Sequence, residues 1–184
     1  MALASRRWAA ELLHVWFHKL DPEQWFSPDA GVDHMLQRRF GQELAMLSQR
    51  PAAEFLSAPD TTRAAILLFD QVSRNVHRGS PDAFKTDALA LSLAGTALHR
   101  RWDLGLSRVE RQFLAMPFMH SEQIADQRRS LELFTAMDDP LLLHYARSHY
   151  RMIARFGRFP HRNAVLGRIS SAAERRAVAA GNAW

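Results

Sequence analysis

Helix punctuation constrains this chain more than any other feature. Start and stop signals recur along its whole length, and the apolar residues between them repeat at helical spacing. Ser107 with Glu110 and Ser171 with Glu174 are capping boxes, in which a hydroxyl and a carboxylate satisfy the free N–H groups of a helix start. Ser80-Pro81 and Asp139-Pro140 each place a proline at a first helical position behind a capping side chain. Gly157 and Gly181 stand where helices should stop. No segment alternates apolar and polar residues as a half-buried strand does. The pattern predicts an all-α fold of about eight or nine helices, stacked as antiparallel hairpins. With no linker or low-complexity stretch, residues 1–184 are expected to form a single helical domain.

The expected helices cover about residues 3–20, 30–49, from after Pro59 through Gln71, from Ser80-Pro81 through Arg101, from Ser107 to a stop at Pro117, from near Ser121 to about Met137, and from Pro140 to Phe156. A short helix opens at Pro160, and the Ser171 box starts a last one. Asp60 or Thr61 is expected to cap the third helix. The first should bury Trp8, Leu12, Val15, Trp16 and Leu20 on one face.

Composition narrows the chemistry. At 184 residues and 47% hydrophobic, the chain can bury a sizeable core. It has no cysteine, so disulfides, thiolate metal sites and cysteine nucleophiles are excluded, and a reducing cytoplasm is the expected location. No apolar run is long enough to cross a membrane, so no membrane partner is expected. The amino-terminal pair of arginines precedes an amphipathic helix interrupted by Glu11, His14, His18 and Lys19, unlike an export signal. His14 and His18 are four residues apart but have no carboxylate motif beside them, so no metal is assigned. No cofactor motif is present either.

The net charge is +5, and only Lys19 and Lys85 among the basic residues are lysines. From Arg147 to Arg168 there are six arginines and no acidic residue, a local excess that calls for partners or an anion. Within that excess, Arg147, Arg151 and Arg155 form an i, i+4 row, which as a solvated face or an ion-pair ladder needs no function. His149 shares a face with Met152, Ile153 and Phe156 and reads as a core histidine.

Three segments combine polar and bulky apolar residues around helix turns: DQVSRNVHRGSPDAF (70–84), MPFMHSEQIADQ (116–127) and RFGRFPHRNAVLGR (155–168). Successive helices joined by short turns tend to run antiparallel, so alternate turns should share one end of the domain. The three segments are therefore expected on one rim. Asp70, Arg74, Asn75, Arg78, His120, Ser121, Arg158, His161, Arg162, Asn163 and Arg168 are its candidate ligand-binding residues. Guanidinium forks suit carboxylate or phosphate, and helix starts at Ser80, Ser121 and Pro160 would aim free N–H groups at an anion. His120 and His161 can exchange protons near neutral pH, with Glu122 or Asp70 as orienting carboxylates, which makes His120, Glu122 and His161 the catalytic candidates. The bland readings are a helix cap for Ser121, a stitching ion pair for Asp70 with Arg74, and a structural corner for residues 155–163.

The same segments carry a family resemblance. Asp70, Gln71, Arg74, Asn75, Arg78, Gly79, Ala83 and Phe84, then Pro117, Phe118, His120, Ser121 and Glu122, then Arg155 through Asn163 with Leu166, Gly167 and Arg168, resemble the motifs of the bacterial domain of unknown function 924. The resemblance runs from about Val15 to Ser171. Val72-Ser73 stands where the family usually has Phe-Pro, and Ala115 where Tyr is common. The resemblance implies a helical fold like that of tetratricopeptide repeats, although the repeat's own sequence period is missing here. It brings no activity with it.

Three functions follow as expectations. The first is a binding protein whose rim captures an anionic small molecule or an acidic peptide. The second is an enzyme using His120 or His161 as acid–base beside an arginine-lined anion site. The third is nucleic-acid binding along the arginine-rich face, for which no known motif is present. The sequence assigns no oligomeric state.

Overall fold

The computed structural model describes residues 7–181. The expected start of the first helix, at residues 3–6, lies outside them. Every regular element among the described residues is helical, and no strand occurs there. The α-helices are α1 (Arg7–His18), α2 (Ala30–Leu47), α3 (Pro59–Leu67), α4 (Ser73–Val76), α5 (Asp87–His99), α6 (Arg108–His120), α7 (Ile124–Thr135), α8 (Pro140–Phe156) and α9 (Ala172–Ala179). A π-helical turn, Leu68–Val72, joins α3 to α4 as one rod, so the expected number of helices is met. No helix of the described residues is long and apolar enough to cross a membrane.

The chain divides into two compact units, 7–78 with Asp82–Leu106, and Gly79–Pro81 with 107–181. In the first, α3 packs on α1 and α5, and α2 packs on α4. The buried face of α1 is Ala9, Leu12, Val15 and Trp16, while Trp8 is only half-buried. The loop after α1 folds back as a 3-10 turn, Pro22–Trp25, and the Trp25 indole N–H donates to the Trp16 carbonyl at 2.9 Å. That contact closes the end of α1. Asp29 caps α2 by accepting from the N–H groups of Gly31 and Val32.

The cap expected at Asp60 or Thr61 is at Ala58 instead, with Pro59 in the first turn. Proline fits there because its missing N–H has no helical partner to lose. Asp60 pairs with Arg63, and the Thr62 hydroxyl donates to the carbonyls of Phe55 and Ala58. Ser80-Pro81 does not open α5 directly. Pro81–Phe84 form one 3-10 turn, and α5 begins at Asp87, after the Thr86 hydroxyl has bonded the Phe69 carbonyl at 2.7 Å. Thr86 thereby ties this turn to the π-helical segment.

In the second unit α7 packs against both α6 and α8. The Ser107–Glu110 capping box forms as expected, with the Ser107 N–H 2.9 Å from the Glu110 carboxylate. Pro117 does not end α6, which runs on to His120. A proline inside a helix removes one backbone bond and costs about 3 kcal/mol. Here every residue from Gln112 to Met119 is buried, and that packing outweighs the local penalty. The Gln127 amide then substitutes for helix continuation, donating to the carbonyls of Met119 and Ser121 at 2.7 Å each. α7 starts at Ile124 rather than Ser121, and the Ser121 hydroxyl acts in the turn before it: it accepts from the Gln123 N–H and donates to Asp126.

Asp139 caps α8, and Gly157 ends it with φ 68°. Pro160 opens only the three-residue 3-10 turn Pro160–Arg162, not a helix. Met152, Ile153, Phe156, Phe159 and Ala177 form the core that fastens this turn between α8 and α9. The expected Ser171–Glu174 capping box starts α9.

Gly157 is one of the positions where the backbone itself demands glycine. A Cβ there would meet no atom within 4 Å, so a substitution is penalised by conformation alone. A left-handed β-branched residue costs about 1–3 kcal/mol, which for a chain of this size lowers the melting temperature by roughly 2–12 °C. Gly157→Val is therefore expected to melt earlier by that amount, and Gly157→Asn, which tolerates the left-handed region, by distinctly less. Thermal denaturation followed by circular dichroism checks the ordering.

Candidate functional site

The first segment builds a polar cluster inside its own unit. The π-helical turn carries Asp70 and Gln71 into the interior, where Asp70 is 0% exposed and accepts from the Gln71 amide at 2.5 Å. One helical turn later, Arg74 reaches back to the Asp70 backbone carbonyl and lies 3.4 Å from its carboxylate. Its fork also meets both oxygens of Asp87, at 3.0 and 3.1 Å. Burial works against the Arg74 charge, but Asp70 and Asp87 more than offset it and raise its pKa. Asn75 and Arg78 converge on Asp33 at the start of α2, Arg78 through two bonds of 2.7 and 2.8 Å. The Arg78 bond holds the Asp33 carboxyl below its ordinary pKa despite partial burial. Each arginine of this segment thus already grips a carboxylate of the chain. Asp33 and Asp87 were not expected in this role; their partners lie 42–45 and 13 residues away in sequence.

The second and third segments meet within the second unit through Glu122, while a second carboxylate, Glu174, ties the third segment to α9. Glu122 accepts from the Phe159 backbone N–H at 2.8 Å and from Arg168 at 2.9 Å. Burial opposes the Glu122 charge, while Arg168, the Phe159 N–H and the nearby Arg162 lower its pKa overall. Glu174 takes both arms of Arg158, at 2.6 and 3.0 Å, together with its own capping-box N–H from Ser171 at 2.7 Å. Arg158 first, then the Ser171 N–H, holds the Glu174 carboxyl well below the carboxylate range. Asn163 is 0% exposed and donates to Ser170 and Glu174. Glu174 was expected only as a cap, and its second role explains why the corner needs Arg158 and Asn163.

Around Phe159 lies a different kind of cluster. The Arg162 guanidinium stands 4.5 Å from the centre of the Phe159 ring and donates to the His120 carbonyl at 3.1 Å. His149 packs on the same ring at 5.5 Å and His161 at 5.6 Å, while His120 lies 6.2 Å from His149. His149 is buried, as a core histidine should be, and its Nδ1 is 2.9 Å from the Tyr145 carbonyl. Burial, then the electrostatic influence of His120, lowers its pKa to about 3, with smaller contributions from Arg162 and His161. The Tyr145 carbonyl pulls the other way and loses. His120 and His161 are half-buried. Two imidazoles and a buried guanidinium therefore share the Phe159 ring, with His120 alongside His149.

The helix starts counted on for anion binding are weaker than expected. Pro81–Phe84 and Pro160–Arg162 are single 3-10 turns, too short to build an appreciable macrodipole, and the free N–H groups of α7 begin at Ile124. Ser121 is occupied by Gln123 and Asp126. No group of three or more His, Asp or Glu side chains among the described residues has metal-binding geometry, and His14 and His18 simply stack at 5.5 Å.

The chain is similar over 92% of its length to the solved structure of a protein of unknown function from Agrobacterium tumefaciens, covering 96% of that chain at 36% identity and a TM-score of 0.86. No curated protein matches it at a significant level. The family described as "Bacterial protein of unknown function (DUF924)" matches residues 12–182, and with nearly the whole chain so covered, this protein belongs to that family.

Proposed function

We propose that the protein binds a small anionic molecule or an acidic peptide end at the platform formed by His120, His161, Arg162 and Phe159. The observation that carries the reading is the company kept by His149. Positive neighbours add to burial in keeping this imidazole neutral. An external anion on the half-buried His120 and His161 would meet a positive potential in a partly dehydrated setting, where charge-assisted bonds are stronger than in water. Arg158, Arg168 and Asn163 then shape the site by holding its corner, and the carboxylate-bound Arg74 and Arg78 act as scaffold in the first unit.

The second reading, acid–base catalysis by His120 or His161, has one observation in its favour: both rings are half-buried beside Arg162, which could hold an anionic substrate. A scaffold resembling tetratricopeptide repeats and a cytoplasmic location belong to the same proposal.

Two measurements follow. A thermal-shift series with phosphate, sulfate, sugar phosphates, dicarboxylates and acidic peptides, at fixed ionic strength, should contain at least one ligand that raises the melting temperature. At 100 times its dissociation constant a ligand adds about 2.7 kcal/mol, or roughly 5–10 °C for this chain length. His161→Ala, at a half-buried position, should lose most of that shift while melting close to the wild type without ligand. If no ligand exceeds chloride, or His161→Ala keeps the shift, the platform is structural.

The second concerns pH. The unfolded chain protonates His149 near pH 6.5 and the folded chain only near 3. Stability from this residue is therefore full above about pH 6.5 and falls as pH drops towards 3. Between pH 7.5 and 5 the loss is about 2 kcal/mol, at 1.36 kcal/mol per unit. The depressed carboxylates Asp33, Glu122 and Glu174 lose their contribution only at lower pH. Urea denaturation at the two pH values should show the drop in the wild type and a flatter response in His149→Gln.

A further inference from the structure

We infer that the solvent face of α8 binds the phosphate backbone of a nucleic acid, through Arg147, Arg151 and Arg155. The three lie four residues apart and all are exposed. At a rise of about 1.5 Å per residue they stand roughly 6 Å apart along the helix axis, with His144 on the same face. The sequence left open whether this row is an ion-pair ladder. It is not one: among the described residues none of the three pairs with a carboxylate, and none has an interaction beyond the stacking of Arg155 on Phe156 at 4.9 Å. Four arginines of the same unit behave differently, although Arg128, Arg175 and Arg176 are also exposed. Arg108, Arg129, Arg158 and Arg168 each reach an acidic side chain within 4 Å. α8 cannot supply such a partner, because no acidic residue occurs between Asp139 and Glu174.

Charge complementarity therefore asks for a polyanion, and the chemistry of the row selects which. An acidic helix docking on α8 would need apolar anchors at helical spacing. The side chains interleaved with the arginines on this face are His144, Ser148 and Ala154, and the exposed apolar residues Leu141 and Tyr145 precede the row. A phosphate backbone needs no apolar anchor. Guanidinium forks bind phosphate bidentately, and release of condensed counterions drives the association. Stacking on Phe156 keeps the edge of the Arg155 guanidinium available for such contacts. The contact is independent of base sequence and separate from the Phe159 platform.

The test is fluorescence anisotropy with a labelled short DNA duplex and a labelled single-stranded RNA, each titrated with full-length protein over a range of salt. Three phosphate contacts predict a log–log salt slope of about −2.7 on the duplex and about −2.1 on the single strand. Each of Arg147→Ala, Arg151→Ala and Arg155→Ala should reduce the magnitude of the duplex slope by about 0.9, and the triple variant should lose binding at moderate salt. Because the three side chains are exposed, the triple variant should melt with the wild type, so loss of binding is not loss of fold. Arg38→Ala with Arg50→Ala, two exposed arginines of the first unit, should leave binding unchanged. Equal weakening by that pair would reduce the effect to net charge and overturn the proposal. So would tighter binding of a helical polyglutamate peptide than of the duplex at equal salt, which would assign the row to a protein partner.

Discussion

The ion pair of Arg158 with Glu174 is the contact on which the second unit's corner depends. Gly157 turns the chain out of α8, and the next residue, Arg158, fastens it to the first turn of α9 through two bonds to one carboxylate. The same carboxylate caps α9 and receives the amide of Asn163, so one side chain fixes the segment at three points. Phe159 is then delivered to the core and its N–H to Glu122, and only in that position can it serve as a platform for Arg162 and the histidines. A bidentate pair of this kind gives geometry as well as energy, which matters for a turn with little regular hydrogen bonding of its own.

This contact also resolves the mixed character of residues 155–163. Their arginines are not one population. Arg155 faces solvent on Phe156, Arg158 is spent on Glu174, and Arg162 is buried against Phe159 and the His120 carbonyl. Asn163, completely buried, belongs with the scaffold, so Asn163→Ala removes support from Glu174 and leaves a polar gap in the interior. His161 is the member of the stretch that remains half-exposed on the platform, and for that reason it separates a binding role from a structural one better than Asn163 does.

Local signals in the sequence were reliable where a few adjacent residues settle the outcome. The Ser107 and Ser171 boxes, the Asp139-Pro140 start and the Gly157 stop all depend on side chains within one helical turn of the backbone they satisfy. They failed where packing from elsewhere decides. Pro117 reads as a terminus because a proline lacks its N–H, yet a fully buried run and the Gln127 amide keep α6 intact around it. Ser80-Pro81 reads as a helix start, yet Ser73 and Thr86 hold the carbonyls of Ala83 and Phe69 and shape the region as a turn instead. Nothing local marks the π-helical turn that buries Asp70 beside Gln71.

The site residues follow the same division, and it decides what charge in this protein can do. Counting arginines along the chain identifies an excess but not its location, because the acids that cancel it are remote: Asp33 is 45 residues from Arg78, and Glu122 is 46 from Arg168. Once those pairs are made, Arg78 and Arg168 contribute geometry more than potential, since a paired charge at short range is nearly neutral to its surroundings. The potential that remains comes from groups the chain leaves without an acid. On α8 these are the three exposed arginines, a solvated surface able to meet a large, flexible polyanion. Around Phe159 the balance is different, because burial and the neighbouring Arg162 help keep His149 neutral. A partner on the α8 face should respond to salt, because screening weakens exposed charges, whereas burial around Phe159 disfavours protonation.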